Sequence, residues 1–125
     1  MKARFLDPIA LEVKCQQDKV GKVDDQGNPV NLTYSYIKGH VNPANNIATI
    51  DEMFTDKKLR RIGIGRQLVE SFIALAKVNC PLVNIVVVDT LPEAKLFYMK
   101  LGFKISMMKS KTITMQKVIS GKVVS

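Results

Sequence analysis

Arg60-Arg61-Ile62-Gly63-Ile64-Gly65-Arg66 packs three arginines and two glycines into one short stretch. A strand-like run, Ile47 to Thr55, precedes it. An amphipathic helical run follows, with Leu68, Val69, Phe72, Ile73 and Ala76 on one stripe. The first N–H groups of a helix have no intrahelical acceptor, and the macrodipole makes that end positive. Glycine carries no Cβ, so an anion can approach the backbone closely. The chemistry on offer is phosphate or pyrophosphate binding. A glycine turn before a core helix, its arginines merely solvated, accounts for the stretch equally well.

Charge narrows the choice of ligand. Residues 1–59 hold eight Lys/Arg and eight Asp/Glu, whereas residues 60–125 hold eleven and three. The whole formal charge of +8 therefore lies on the half with the glycine turn. Such a field steers anionic ligands and would also suit nucleic acid. Aromatics that could stack on bases are not interleaved with these charges, which favours a small anion. Nucleic acid stays a lesser alternative.

The other reactive residues are sparse. Cys15 and Cys80 are too few and too far apart for a zinc site or a disulfide framework, and no metal is expected. Cys80, before Pro81, reads as a small buried apolar residue. His40 is the only histidine and is expected at a turn or strand end. At 125 residues one domain spanning 1–125 is expected. Asp7 and Pro8 interrupt any signal-peptide core, and no apolar run approaches the roughly 20 residues of a membrane span. A cytoplasmic protein without membrane association is the expectation.

The elements that must position the turn follow from periodicity. Strands are predicted over Ile9–Cys15, Leu32–Val41 and Ile47–Thr55, the last two as an antiparallel hairpin around Asn42-Pro43-Ala44-Asn45-Asn46. Lys19 to Asn31 reads as a loop. A helix is predicted over about 63–78, stopped before Pro81. Val83–Val88 is almost continuously apolar and β-branched. It reads as a central strand, buried on both faces and parallel to Ile47–Thr55. Thr90 and Glu93 have capping-box spacing, with Pro92 near the first helical position. A second helix over about 91–101 presents Ala94, Phe97, Tyr98 and Leu101 on one face and ends at Gly102. Strands at Phe103–Met108 and Thr112–Ile119 complete the order β-β-β-α-β-α-β-β. The fold class is α+β (mixed α/β): a mixed central sheet of about six strands with helices packed against it.

Two stretches resemble one family. Arg60-Arg61-Ile62-Gly63-Ile64-Gly65 is similar to the (Gln/Arg)-x-x-Gly-x-(Gly/Ala) signature of the GNAT superfamily of N-acetyltransferases. Ala94-Lys95-Leu96-Phe97-Tyr98-Met99-Lys100-Leu101-Gly102-Phe103 resembles that family's second motif: an Ala, then Phe-Tyr, then Gly-Phe. The resemblance implies an acyl-CoA N-acyltransferase-like fold, acetyl-CoA as the acyl donor, and direct acetyl transfer to an amine. It implies that backbone N–H groups of Ile62, Gly63, Ile64, Gly65 and Arg66 hold the pyrophosphate, with charge from Arg60, Arg61 and Arg66. The pantetheine arm would run along Met53, Phe54 and Thr55. Tyr98 matches the family's general acid toward the CoA sulfur; a core tyrosine is its other reading. Glu52 is the candidate base, since alternation sends Asp51 and Glu52 to opposite faces.

The chain departs from the pattern in two places. Family members usually place a pair of helices between the first two strands, where only the Lys19–Asn31 loop is available here. The acceptor site is then pared down or completed by a homodimer. The Asn often found at the start of the second-motif helix is replaced by Leu91 or its neighbours. The expected partner is a small-molecule or protein amine. The alternatives are a non-catalytic CoA-binding or interaction module of the same fold and, more distantly, an acetyltransferase toxin acting on aminoacyl-tRNA. A dinucleotide-binding βαβ unit, with Asp89 after its second strand, lacks the third glycine, because Leu68 stands there. A phosphate-loop NTPase is excluded because no Gly-Lys-Ser/Thr follows the turn.

Overall fold

The computed structural model of the chain describes residues 7–17, 25–26, 33–55 and 63–119. Its strands are β1 (Ile9–Gln17), β2 (Thr33–Asn42), β3 (Ile47–Phe54), β4 (Ile85–Thr90), β5 (Lys104–Met108) and β6 (Ile113–Val118). Helix α1 (Ile64–Asn79) joins β3 to β4. A 3-10 turn at Pro92–Ala94 leads into α2 (Lys95–Lys100), which joins β4 to β5. The six strands form one sheet in the order β1-β2-β3-β4-β6-β5. All neighbours are antiparallel except β3 and β4, which run parallel as a helical crossover requires.

Both helices cover the same face of this sheet. On β2 the alternate residues Ser35, Ile37, Gly39 and Val41 are buried. A Cβ on Gly39 would stand 2.7 Å from the Phe72 ring, so α1 lies against that face. Helix α1 contributes Ile64, Leu68, Val69, Phe72 and Ala76, all buried. In register with β2 across the sheet lie Ala48 and Ile50, then Val86 and Val88 of β4, then Met115 of β6. Helix α2 joins the same cluster through Tyr98, and Phe103 just beyond it packs there too. The crossovers β3-α1-β4 and β4-α2-β5 move in the same direction along the sheet, and one handedness then places both helices on one side.

This arrangement corrects the expectation for β4. It is central, but Val86 and Val88 are fully buried while Ile85 and Val87 are only half-buried. Its β-branched run is covered by helices on one face only. Among the described residues no helix covers the other face, which carries Ala10, Glu12, Tyr36, Lys38 and His40 from the first two strands.

The second helix is shorter than its pattern predicts, and no capping box forms. Thr90 is still in β4, paired with Ile113, and its hydroxyl is turned to the Leu91 carbonyl at 3.4 Å. Leu91 is extended, as the following Pro92 requires. The far end behaves as expected. Gly102 takes φ +96, the Gly102 N–H bonds the Met99 carbonyl, and the Phe103 N–H bonds the Tyr98 carbonyl, each at 3.0 Å. This is a Schellman closure, and Phe103 stacks edge-on against Tyr98 at 5.3 Å between centroids.

Most of the Lys19–Asn31 loop lies outside the described residues. Among those described, no helix is long and apolar enough to cross a membrane.

Candidate functional site

Strands β3 and β4 pair only from Ile47–Ile50 to Ile85–Val88. Beyond that point β3 stays with β2, through Glu52, Met53 and Phe54, while β4 goes on with β6 through Asp89 and Thr90. The sheet therefore splays, and a cleft of about 760 Å³ opens at the splay. Its walls are Met53 and Thr55 from the end of β3, Gly63, Gly65 and Arg66 from the start of α1, and Glu93, Ala94 and Phe97 from the approach to α2.

The start of α1 is left open to this cleft. Gly63 is its N-cap at φ +86, no side chain caps it, and no acidic residue lies in its first turn. The first helical bond is from the Gln67 N–H to the Gly63 carbonyl at 3.0 Å. The N–H groups of Ile64, Gly65 and Arg66 therefore have no acceptor within the helix. A Cβ on Gly63 would meet nothing within 4 Å, so space stands over that backbone. Gly65 is tight instead: a Cβ there would lie 3.2 Å from the Phe97 ring, so glycine is what lets α1 and α2 meet. Arg66 pairs with Glu70 one turn on at 3.1 Å, both exposed, a link worth a few tenths of a kcal/mol at most. Its side chain still lines the cleft and adds positive charge to the helix end.

Of the residues singled out in the sequence, Met53, Thr55, Gly63, Gly65 and Arg66 line this cleft together. Ile64 is buried beneath them and offers only its backbone. Phe54 points away and stacks on Tyr36 with ring centroids 5.9 Å apart. Arg60, Arg61 and Ile62 lie outside the described residues. Tyr98 is 3 % exposed, one residue past the cleft-lining Phe97 and edge-on to it at 4.9 Å. Burial pushes its phenol up to about 12. It is fully protonated at neutral pH.

The expectation for Asp51 and Glu52 is corrected. Gly39 pairs with Ile50 while Lys38 pairs with Glu52, so Asp51 is an extra residue, a β-bulge. The bulge breaks alternation and turns both carboxylates to the face without helices. There the Tyr36 hydroxyl donates to Glu52, and His40 Nδ1 lies 2.8 Å from an Asp51 oxygen. His40 is inside β2, not at a turn. A shallower hollow of about 480 Å³ lies over the bulge, with Glu12, Lys38, Asp51 and Glu52 among its walls.

Glu93 and Phe97 are cleft residues that sequence reasoning missed. Their spacing reads as a cap and a core face, and only the approach of α2 to Gly65 turns them to the cleft. Asp89, the residue a dinucleotide site would need, is engaged within the chain. Hydrogen bonding from Thr112 is the main cause of its lowered pKa, and Lys109 and Thr114 also reach it at 3.3 Å.

A family model described as the acetyltransferase (GNAT) domain matches residues 19–105. Among solved structures, an acetyltransferase from Bacillus cereus is similar at 17% identity with a TM-score of 0.63, covering 95% of this chain and 81% of that one. A PaiA N-acetyltransferase from Thermoplasma acidophilum, solved with coenzyme A, is similar at 15% identity and TM-score 0.60. That match covers 76% of this chain and 57% of the other. An Ard1 protein from Thermoplasma volcanium is similar at 24% identity and TM-score 0.59, covering 70% and 69%. A search of curated protein sequences gives no match.

Proposed function

The chain belongs to the GNAT acetyltransferase family, and from that premise we propose that it is an acetyl-CoA-dependent N-acetyltransferase acting on a primary amine by direct transfer. The observation that carries the reading is the cleft at the splay of β3 and β4, facing a helix start with neither cap nor acidic residue. Three N–H groups without acceptors in the helix, the macrodipole and Arg66 together favour a pyrophosphate there. The edge that β3 turns toward the splay at Met53, Phe54 and Thr55 suits an extended amide-bearing arm running as an added strand. A similar structure was solved with coenzyme A, which supports the same ligand here.

Acetyl-CoA supplies an activated acyl group and a thiolate leaving group. The chain's part is to hold the donor, to admit a neutral amine and to protonate the departing sulfur. Tyr98 is the proposed proton donor. A phenol at about 12 carries its proton at working pH and so has one to give, and the edge-on contacts to Phe97 and Phe103 fix its ring. Glu52, fixed by Tyr36 beside the bulge, is the proposed carboxylate facing the acceptor. The fold leaves that face without covering helices among the described residues, so the acceptor can arrive from there or from a site completed by a second copy.

The test is release of CoA from acetyl-CoA in the presence of primary amines, for wild type and Tyr98→Phe. The expected result is turnover that falls on the order of 10²-fold in the variant while CoA affinity holds. Binding of CoA without turnover on any amine would favour the non-catalytic module.

A further inference from the structure

The face of the sheet that no described helix covers holds the chain's only histidine in a specific pairing. His40 Nδ1 lies 2.8 Å from Asp51 Oδ2. A carboxylate can only accept, so the ring donates through Nδ1–H and leaves the Nε2 lone pair for a proton. We propose that His40, held by Asp51, is the general base that takes the proton from the acceptor amine. This inference rests on the acetyltransferase reading above and goes beyond it by naming the base and the side of entry.

Three observations carry it. The first is the bulge. In a regular strand, alternation would turn either Asp51 or Glu52 away from His40's face. The bulge keeps both there, at the point where β3 parts from β4 and the cleft begins. The second is the choice of group. An imidazole nitrogen with a free lone pair is a common proton acceptor in general base catalysis, and the Nδ1 contact to Asp51 leaves Nε2 in that form. The third is charge. Among the described residues, Glu12, Asp51 and Glu52 line the hollow over the bulge with one cation, Lys38, in a chain whose formal charge is +8. That hollow draws in a cationic amine, and a cation resting in it touches Asp51.

Among the described residues the groups facing His40 are few. From β1 its register partner is the uncharged Ala10, with Glu12 beyond; from β3 it faces Thr49, Asp51 and Glu52; on β2 its same-face neighbour is Lys38, with Tyr36 next. In the step, the amine nitrogen forms a bond to the acyl carbon and the carbon–sulfur bond breaks. The ammonium proton first passes through His40 Nε2 to water, which frees the nitrogen lone pair for attack; the second N–H proton, lost after attack, passes through water to Tyr98, which has given its own proton to the sulfur. The products are an amide and a thiol, with the enzyme restored. Asp51 is a positioning residue that fixes the ring and its tautomer.

The experiment compares wild type, His40→Gln, Asp51→Asn and a control on the same face, Lys14→Gln. Acetyl transfer is measured to Nα-acetyl-lysine amide, which is cationic at pH 7, and to hydroxylamine, which is already neutral. In parallel the single histidine is followed by nitrogen-15 NMR. His40→Gln should lose on the order of 10²-fold in kcat with the lysine amide. Its loss with hydroxylamine should be at least tenfold smaller. Asp51→Asn should change the ring tautomer signal and lower kcat with little change in KM for acetyl-CoA. Lys14→Gln should match wild type. In wild type bound to CoA, millimolar lysine amide should shift the His40 signal. Equal losses for the two amines, an unchanged kcat in His40→Gln, or an unmoved His40 signal would each overturn the assignment. Failure of the wild type to bind CoA would sink the acetyltransferase reading instead, so the two failures are told apart.

Discussion

The two faces of this sheet are built by different rules. The helix-covered face is apolar and continuous: Ile37, Val41, Ala48, Val86, Phe72 and Met115 are each fully buried. The other face, over β1 to β3, is polar and paired: Glu12 with Lys14, His40 with Asp51, Tyr36 with Glu52, and Lys38 5.1 Å from the Tyr36 ring centre. Burial on the first face holds the fold together, because each large side chain removed from water contributes about 1.5–3 kcal/mol. Exposed ion pairs on the second contribute little to stability. Chemistry-bearing groups are therefore gathered where the fold can spare them, and the cleft lies where the two faces meet at the splay.

That contrast is open to direct attack, starting with the largest effect. Phe72→Ala removes the ring on which Gly39 rests and should cost about 3–5 kcal/mol in denaturant unfolding. Tyr98 belongs to both worlds. Its burial holds the phenol near 12 against an ordinary value of 10.0, so the fold favours the neutral form. The group's contribution is complete below pH 10 and is lost as pH rises from about 10 toward 12, up to roughly 2–3 kcal/mol. Unfolding curves taken across that window should fall in wild type and stay flatter in Tyr98→Phe. Gly102→Ala forces a side chain into φ +96 and against Lys117 at 3.3 Å; about 1–2 kcal/mol of stability should go, with α2 and Tyr98 loosened. Lys14→Ala, which breaks only the exposed 3.6 Å pair with Glu12, should change stability by less than about 0.5 kcal/mol. A cost for Lys14→Ala as large as that for Phe72→Ala would erase the distinction between the faces.

The same contrast explains what could be read from the chain alone. Helix α1, the β2–β3 hairpin and the Gly102 stop are local patterns. Periodicity, an Asn-rich turn and a glycine before Phe103 carry them, and each formed within two residues of its expected limits. The place of the paired glycines at a helix start was also readable: Gly63 is the N-cap of α1, and Gly65 lies in its first turn. What failed depended on partners distant in sequence. The Thr90–Glu93 cap was lost because Thr90 was already taken by β6. The half-covered back of β4 follows from both crossovers having one hand. The Asp51 bulge arises from the register of β3 against β2, and it alone brings His40, Asp51 and Glu52 to one face. Phe97 and Glu93 become cleft walls only when α2 meets Gly65.

The most direct test of the cleft is calorimetric titration with CoA and with acetyl-CoA, for wild type and for Gly65→Val. Valine at 65 would drive a branched side chain toward the Phe97 ring and over the helix start. One saturable site in wild type, weakened at least tenfold by Gly65→Val while the circular dichroism still reports a folded chain, is the predicted result. Equal affinity in the two proteins, or no binding by wild type at millimolar ligand, would contradict the assignment of this cleft to the acyl donor.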